Sequence, residues 1–465
     1  MTTEGPLAQD QLSTDRSAAS PDGEAKATAK YAVLFKPSGR VAEVPEGTTI
    51  LDAARLAGVD LAAPCGGYGR CGRCRVLIEA GEVRQRETAH LSALEKDQGH
   101  ALACQTQVFD DVTAFVEARE VRLRPRAEMR VDKIALPAGM PCQLQASVAK
   151  LHVVIEPPSL EDNTSDVDRL RRALAAQHGI AELEVDLPML RELPVALRKA
   201  NWDVTAVVAI EEDCEQKHRL LGVQPGDTSA RHYGIALDIG TTTVVVYLVD
   251  LLTGKVVDVS LAYNGQISCG DDVISRIIYS QRGSGAVHLQ NLVVKSINDL
   301  LAELATNNNV DLNDIYDMSV AGNTTMIHLF LGINAKYIRE EPYIPAMRFP
   351  PVVSAGELDI KLNPRACVFS LAGVGSYVGG DITAGVLSSG MFFTDKLTLF
   401  IDVGTNGEIV LGNADWLITC ACSAGPAFEG NGVEHGMRAV TGAIEEVWID
   451  TESLEPLGEE HVVRV

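Results

Sequence analysis

The alternation of apolar and polar residues divides the chain, from residue 30 onward, into short strands and helices. Residues 31–35 alternate in the manner of a strand, and residues 37–40 carry Pro-Ser-Gly-Arg, which favours a turn. Residues 41–44 can return as a second strand, and residues 48–54 read as the start of a helix. The pattern therefore predicts a small ββα module that leads directly into a cysteine-rich loop.

Further along, the pattern predicts a second α/β unit and then a long region rich in strands and glycine turns. Residues 151–155 and 204–210 have strand character, with a helix between them at 166–177. A basic stretch punctuated by Pro and Gly precedes this unit and suits a linker. The predicted segments are a disordered tail at 1–29, a first domain at 30–119, a linker at 120–145, a middle α/β domain at 146–228 and a last domain at 229–465.

Composition narrows the range of partners. The 465 residues carry a formal net charge of −23 and 46% of them are hydrophobic, so we expect neither a nucleic acid nor an anionic membrane as partner.

Residues 1–30 lack the apolar core of a secretory signal, and no apolar run approaches the roughly 18 residues that a bilayer span needs. We predict a cytoplasmic protein.

Four of the ten cysteines lie close together, with the spacing C-x5-C-x2-C-x29-C. Cys65, Cys71 and Cys74 form one glycine-rich loop, and Cys104 follows much later. A [2Fe–2S] cluster needs four thiolates, and a tight loop can wrap three of them around one side. The alternatives are a structural zinc site, which usually takes two evenly sized cysteine pairs, or a disulfide cluster. The uneven spacing favours the iron–sulfur cluster.

Two glycine-led hairpins form a second constellation, about 160 residues apart. Each has a strand that ends in an aspartate, then a turn with backbone N–H groups and hydroxyl or amide side chains, then a second strand. The residues are Asp238, Gly240, Thr241 and Thr242 in the first hairpin, and Asp402, Gly404, Thr405 and Asn406 in the second.

Two such hairpins facing each other would form a phosphate clamp. The turns would donate hydrogen bonds to phosphate oxygens, and Asp238 and Asp402 would hold Mg²⁺ through water or orient the attacking water. One such hairpin would be weak evidence, because many β-turns carry Asp and Gly. The repeat predicts an actin-like ATP-binding domain. The alternative is that both aspartates only cap their turns.

Taken together, these motifs resemble the reductive activators of corrinoid proteins. The resemblance runs from about residue 30 to the end. Its carriers are the cysteine loop with Cys104, the segment Asn264–Arg276, the segment Ala321–Thr325, the hairpin Asp402–Glu408 and the segment Cys422–Gly430.

The resemblance implies an α/β multidomain chain with three folded parts: an N-terminal β-grasp [2Fe–2S] ferredoxin domain, a small α/β middle domain and an actin-like (ribonuclease H-like) ATPase domain. It also implies ATP-dependent reduction of a cob(II)amide cofactor on a partner corrinoid protein to cob(I)amide. The implied cofactors are a [2Fe–2S] cluster, ATP and Mg²⁺. The partners would be the corrinoid protein, an upstream electron donor and a second copy of the chain in a homodimer.

Family members continue beyond the position equivalent to residue 465, and actin-like domains close the adenosine pocket with a Gly-Gly loop late in the chain. No such loop follows residue 430 here. The sequence is therefore expected to be a fragment or to lack adenine recognition, and to bind ATP poorly as it stands.

Two other functions fit parts of the pattern. Activators of radical dehydratases also couple an actin-like ATPase to iron–sulfur chemistry, but they hold a [4Fe–4S] cluster between two subunits, and a four-cysteine loop in one chain disfavours them. A redox-sensing scaffold, whose nucleotide domain reports ADP or ATP without catalysis, stays open at the level of sequence.

Overall fold

The computed structural model describes residues 29–59, 61, 63, 67–69, 72–116, 145–210, 218–404 and 406–422. The predicted tail at 1–29 and the predicted linker at 120–145 lie almost entirely outside these ranges. Three predicted site residues, Cys65, Cys71 and Thr405, also lie outside them. Within the described ranges, the strands form four sheets of three to six strands and one two-stranded ribbon.

The first unit is a five-stranded sheet crossed by a short helix. The strands follow the order β2-β1-β7-β3-β5, in which β1 and β7 are parallel and the other pairs antiparallel. Strands β4 and β6 form the separate ribbon. The elements are β1 (Lys30–Lys36), β2 (Arg40–Pro45), α1 (Ile50–Leu56), β3 (Arg75–Ala80), β4 (Val83–Gln85), α2 (Ala93–Asp97), β5 (His100–Leu102), β6 (Thr106–Val108) and β7 (Val112–Phe115).

The sequence pattern explains this unit. Val33 and Phe35 alternate along β1 with less buried neighbours, and both are fully buried. Helix α1 begins at Thr49, whose hydroxyl accepts a hydrogen bond from the Asp52 amide, and it buries an apolar face that includes Ile50 against the sheet. The strands and the helix predicted for residues 31–54 are thus confirmed.

The second unit is a four-stranded sheet in the order β8-β10-β11-β9, with two helices on it. Leu170 and Leu174 of one helix and Leu193 and Leu197 of the other lie in its core. The elements are β8 (Val148–Val154), α3 (Asp166–His178), β9 (Leu183–Glu184), α4 (Leu187–Lys199), β10 (Asp203–Ile210) and β11 (His218–Pro225). The predicted helix at 166–177 and the two predicted strands are confirmed.

The third unit is a six-stranded mixed sheet in the order β14-β13-β12-β15-β17-β16. Strands β12, β15 and β17 are parallel, while β12, β13 and β14 form an antiparallel meander. The elements are β12 (Tyr233–Ile239), β13 (Thr243–Asp250), β14 (Lys255–Tyr263), α5 (Val273–Ser280), α6 (Gly285–Asn308), β15 (Asp317–Gly322), α7 (Thr324–Phe330), α8 (Lys336–Arg339), β16 (Val353–Ser354), β17 (Cys367–Ser370) and α9 (Gly380–Ser389).

Helix α6 provides much of the core of this unit. Leu289, Val293, Ile297 and Leu301 recur at helical spacing and are all fully buried against the sheet and its neighbours. Within the sheet, the helix packs mainly on β14 and β13 of the antiparallel meander.

The last described unit is the antiparallel sheet β18 (Thr398–Val403), β19 (Gly407–Gly412) and β20 (Leu417–Cys422). It packs on α9 through a small apolar cluster that includes Ile382, Met391 and Val410. The second predicted hairpin is therefore held next to the start of α9. None of the described helices has both the length and the apolar composition that a membrane-spanning helix needs.

We predict that residues 30–119, expressed alone, fold and bind an iron–sulfur cluster. The hydrophobic core of the first unit is built from residues 33–116 only, and all four candidate thiols lie within the fragment. Circular dichroism should show a cooperative thermal transition, and anaerobic reconstitution should give visible charge-transfer absorbance. A fragment without either, beside a full chain that has both, would show that the boundary near 120 is wrong.

Candidate cluster and nucleotide sites

Two of the four candidate cluster ligands lie side by side in the first unit. Cys74 immediately precedes β3, and Cys104 lies in a 3₁₀ turn between β5 and β6. Their sulfur atoms are 3.3 Å apart, and the residues are 1% and 7% exposed. Since a disulfide needs about 2.05 Å, the two sulfurs are not bonded to each other. Two thiolates bound at ~2.3 Å to one tetrahedral metal lie under ~4 Å apart, so this pair fits a shared iron.

The loop that leads to Cys74 approaches its neighbours closely. Gly69 has φ +72°, and a Cβ there would lie 2.6 Å from Nε2 of Gln105. Gly72 has φ +66°, and a Cβ there would meet the side chain of His90 at 2.7 Å. Only glycine fits such positions without strain. Gln105 also points its amide Nε2 at the Cys104 sulfur, 3.7 Å away, as donors around cluster sulfurs do.

The first hairpin of the nucleotide site is the turn between β12 and β13, held from two sides. Asn264, which follows β14, donates from its backbone amide to the Thr242 carbonyl and from Nδ2 to the Gly240 carbonyl, each over 2.9 Å. Asn323, at the end of β15, donates from Nδ2 to Oγ1 of Thr241 over 3.1 Å. The turn Gly240–Thr242 is thereby fixed at the carboxyl ends of the parallel strands, where α/β sheets bind ligands.

A buried arginine supports the same turn from beneath. Arg276 of α5 is fully buried. Its Nε donates to the Gly270 carbonyl over 2.9 Å, Nη1 donates to Oε1 of Gln266 over 3.1 Å, and Nη2 donates to the Thr241 carbonyl. A guanidinium can be buried only when its donors are satisfied. The segment 264–276 is one of the motifs that carry the family resemblance. The sequence did not predict that this segment supports the turn Gly240–Thr242.

The second hairpin is the turn between β18 and β19. Asp402 and Glu408 are directly paired across it, and the Gly404 amide donates to the Asn406 carbonyl over 2.9 Å. Glu408 is 8% exposed. Because residues paired across a hairpin project to the same face, the Glu408 carboxyl group lies next to that of Asp402.

Carboxyl groups from both hairpins and from α9 influence one another. Desolvation raises the pKa of Asp238 to about 7, with further contributions from Asp381 and Asp402. Desolvation also raises the pKa of Asp381 to about 6 and that of Glu408 to about 7, and Asp402 contributes in both cases. The two hairpins therefore face each other across one acidic cleft.

The sequence identified Asp238 and Asp402 among the acids of this cleft, but not Glu408. Asp381, in the first turn of α9, follows a Gly-Gly pair, and this pattern fits a helix cap as well as a catalytic acid. Glu408 was noted only as part of a motif, although its pairing with Asp402 across a short hairpin was a usable signal. Among the described residues, no group of three His, Cys, Asp or Glu side chains is close enough to hold a metal ion directly.

Known proteins share these parts in the same order. The matching family models are a 2Fe-2S iron-sulfur cluster binding domain at residues 34–109, the RACo linker region at 139–230, the RACo middle region at 233–393 and the C-terminal domain of RACo, the ASKHA domain, at 396–460. A solved structure of a reductive activator for corrinoid, iron-sulfur protein is 42% identical, covers 92% of this chain and has a TM-score of 0.61, with 68% of its own length covered.

The chain belongs to the family of reductive activators of corrinoid proteins. The resemblance drawn from the motifs is thereby confirmed, as is the predicted fold class of an N-terminal ferredoxin domain, an α/β middle part and an actin-like (ASKHA) domain.

Two curated relatives of this activator family are more distant. The corrinoid activation enzyme RamQ of Eubacterium limosum is 29% identical over 420 residues, which is 89% of this chain and 65% of RamQ. A reductase of a Co(II) methylated amine-specific corrinoid protein, from Methanosarcina barkeri, is 26% identical over 228 residues, which is 46% of this chain and 40% of the reductase. The chain thus spans less than two thirds of either curated relative.

We predict that Cys104→Ser abolishes the electron paramagnetic resonance signal of the dithionite-reduced protein, because a thiolate ligand is lost from a buried site. Cys420→Ser, which changes an exposed thiol on β20, should leave the signal intact. Stoichiometric zinc without iron in the wild-type protein would contradict the cluster assignment.

Proposed function

We propose that this chain reduces the cobalt of a partner corrinoid protein from Co(II) to Co(I) in an ATP-dependent reaction, with electrons passing through its ferredoxin domain. The observation that carries the proposal is the presence in one chain of a paired-thiol site and an acidic cleft between two glycine-led hairpins. A ferredoxin alone would not need the second site, and a sugar kinase would not need the first.

Cys65, Cys71, Cys74 and Cys104 would hold the [2Fe–2S] cluster, which supplies one-electron transfer when bound. The described pair supports this role, since both thiols are buried and their sulfurs are within range of a common iron. Burial keeps water from the site and leaves the electron to move between protein-bound centres.

In the nucleotide site, Asp238 and Asp402 would orient Mg²⁺ through its waters or the attacking water. The turns Gly240–Thr242 and Gly404–Asn406 would donate to phosphate oxygens. Three features support these roles: the firmly held first turn, the acidic cleft, and the preference of Mg²⁺ for a partly hydrated state. A divalent cation would favour the ionised forms of Asp238 and Asp381, whose pKa is raised by desolvation and, to a smaller extent, by neighbouring carboxylates.

Energy from ATP is needed if the cluster is a weaker reductant than the cobalt requires. For one electron, ~59 mV of mismatch changes the equilibrium constant tenfold, or about 1.4 kcal/mol. A gap of a few hundred millivolts therefore requires several kcal/mol, which nucleotide-dependent changes in the complex would supply.

The proposed reaction also requires an upstream electron donor. Each electron delivered to the cobalt leaves the ferredoxin domain oxidised, so this donor must reduce the domain again. The cytoplasmic location and the homodimer stay predictions. Light scattering of the purified protein gives its molar mass in solution and so tests the homodimer. The similar proteins reported above are named as activators of corrinoid proteins, which favours this function over activation of a radical dehydratase.

The experiment that tests the proposal is anaerobic reduction of a corrinoid protein loaded with cob(II)amide, followed by its absorbance with and without ATP and Mg²⁺. Accumulation of the Co(I) spectrum only with ATP supports the proposal. Nucleotide binding without any cobalt reduction would favour the redox-sensing scaffold.

We predict that Asp238→Ala and Asp402→Ala each lower ATP-stimulated cobalt reduction by on the order of 10²-fold or more, because preorganised charge at the phosphates and their metal ion is removed. The absorbance of the cluster should not change, because the ferredoxin domain has a separate core.

The matched control is Asp415→Ala, which alters an exposed aspartate in the turn between β19 and β20 and should retain activity. Thermal unfolding measured on the same samples separates catalysis from stability. If folded Asp238→Ala and Asp402→Ala proteins kept wild-type rates, these residues would be turn caps and not parts of a phosphate clamp.

A further inference from the structure

The ferredoxin domain contacts the nucleotide-binding domain through side chains that neither proposed site uses. Arg55, in the last turn of α1, donates from Nη2 to the Ser268 carbonyl over 3.3 Å, and its guanidinium lies 4.9 Å from the centre of the Tyr279 ring. Beyond α5, the guanidinium of Arg282 lies 5.2 Å from the ring of Tyr68, which belongs to the cysteine loop. Two cation–π contacts and one hydrogen bond thus join the two domains.

The surface that receives these contacts is the docking segment, residues 264–282, and its other side holds the phosphate turn. Asn264 donates twice to the turn Gly240–Thr242, and Arg276 donates to the Thr241 carbonyl and to Gln266. Gln266 lies in the same 3₁₀ turn as Ser268, the acceptor for Arg55. One short segment is therefore bonded to the proposed phosphate turn on one side and to the ferredoxin domain on the other.

Arg55 also lies close to the cluster loop within its own domain. Its helix carries Leu51, and a Cβ added to Gly67 would be 3.3 Å from Cδ2 of Leu51 and 3.8 Å from Cβ of Cys104. Helix α1 thus packs directly on the loop and the turn that carry the candidate ligands. A shift of α1 against the docking segment moves the cluster loop with it.

This contact differs in character from the contact between the second and third units. The second unit joins the third through a shared apolar cluster that includes Val148, Leu221 and Tyr316, reinforced by the hydrogen bond from Ser147 to Asp317 over 2.7 Å. Among the described residues, by contrast, the buried core of the ferredoxin domain contains side chains of that domain alone. Polar and cation–π contacts without a shared core suit an association that forms and breaks.

We propose that Arg55 is a positioning residue through which nucleotide binding at Gly240–Thr242 strengthens docking of the ferredoxin domain on the docking segment. The proposal rests on the nucleotide site proposed above. The phosphate turn and Arg55 both contact the docking segment, so a nucleotide that holds this segment in place lowers the entropic cost of docking. Such coupling is reciprocal, so loss of docking must weaken nucleotide binding by the same factor.

Hydrogen exchange of the full chain, with and without a non-hydrolysable ATP analogue and Mg²⁺, tests this inference. Helix α1 belongs to the ferredoxin domain, so any nucleotide-dependent protection of α1 has to arrive through docking. We expect the analogue to slow exchange in α1 and in the docking segment. In Arg55→Gln the effect on α1 should disappear, and the dissociation constant of the analogue should rise by about 5-fold or more.

Arg84→Gln is the matched control. Arg84 also stacks on an aromatic ring, 4.0 Å from the centre of Phe109, but both residues lie within the ferredoxin domain. This variant should behave as wild type in both measurements. If Arg55→Gln fails to retain its cluster, Arg282→Gln removes a cation from the opposite side of the same contact and should give the same loss of protection.

The outcomes separate the two proposals. A wild-type protein that binds the analogue while exchange in α1 stays unchanged overturns the coupling and leaves the nucleotide site standing. If wild type and a folded Arg55→Gln protein bind the analogue with equal affinity, the coupling is likewise overturned and the nucleotide site is not. A wild-type protein that binds no nucleotide overturns the proposed nucleotide site and the coupling together.

Discussion

The buried guanidinium of Arg276 is the interaction on which the nucleotide-binding domain most depends. It lies under the first hairpin and donates to the carbonyls of Gly270 and Thr241 and to the side chain of Gln266. Leaving a buried donor without its hydrogen-bond partner costs about 1–3 kcal/mol, and more for a charged group, which exceeds the contribution of a typical surface ion pair. The position of the Thr241 carbonyl is therefore set by a residue that would not itself touch a phosphate.

A second constraint is the crowding of like charges in the cleft. Folding brings the carboxyl groups of Asp238, Asp381 and Glu408 within electrostatic influence of that of Asp402. Desolvation and repulsion both favour the protonated forms, so this arrangement is held together by the rest of the fold: the core under β12, the packing of β18 and β19 on α9, and the held turn. Such stored electrostatic strain is typical of a site that binds a cation.

The parts of the site that the sequence predicted are those encoded locally. The spacing from Cys65 to Cys74 and the Asp-x-Gly-Thr hairpins each lie within ten residues, so their geometry follows from turn preferences. The sequence alone does not place Asp381 and Glu408 in the cleft, because their positions depend on which elements pack together. Helix α9, which carries Asp381, is brought to β18 by tertiary contacts. The contact of Arg55 with Ser268 and Tyr279 joins residues more than 200 positions apart, and no periodicity in the sequence encodes such a pair.

The two kinds of domain contact suggest which parts of the chain move together and which can separate. The second and third units share an apolar cluster and act as one platform, because separating them would expose buried side chains such as Val148 and Leu221. In the part of the chain that the structure describes, the ferredoxin domain is held by Arg55 and Arg282 and shares no such cluster with the platform. An electron carrier has to approach both its donor and its acceptor, which a domain fused rigidly to the platform could not do. A contact made of a few directional interactions fixes the cysteine loop in one orientation while it lasts, and it breaks without exposing a core. Under the function proposed above, the ferredoxin domain would be held and released within each cycle, and a contact of this kind suits that requirement.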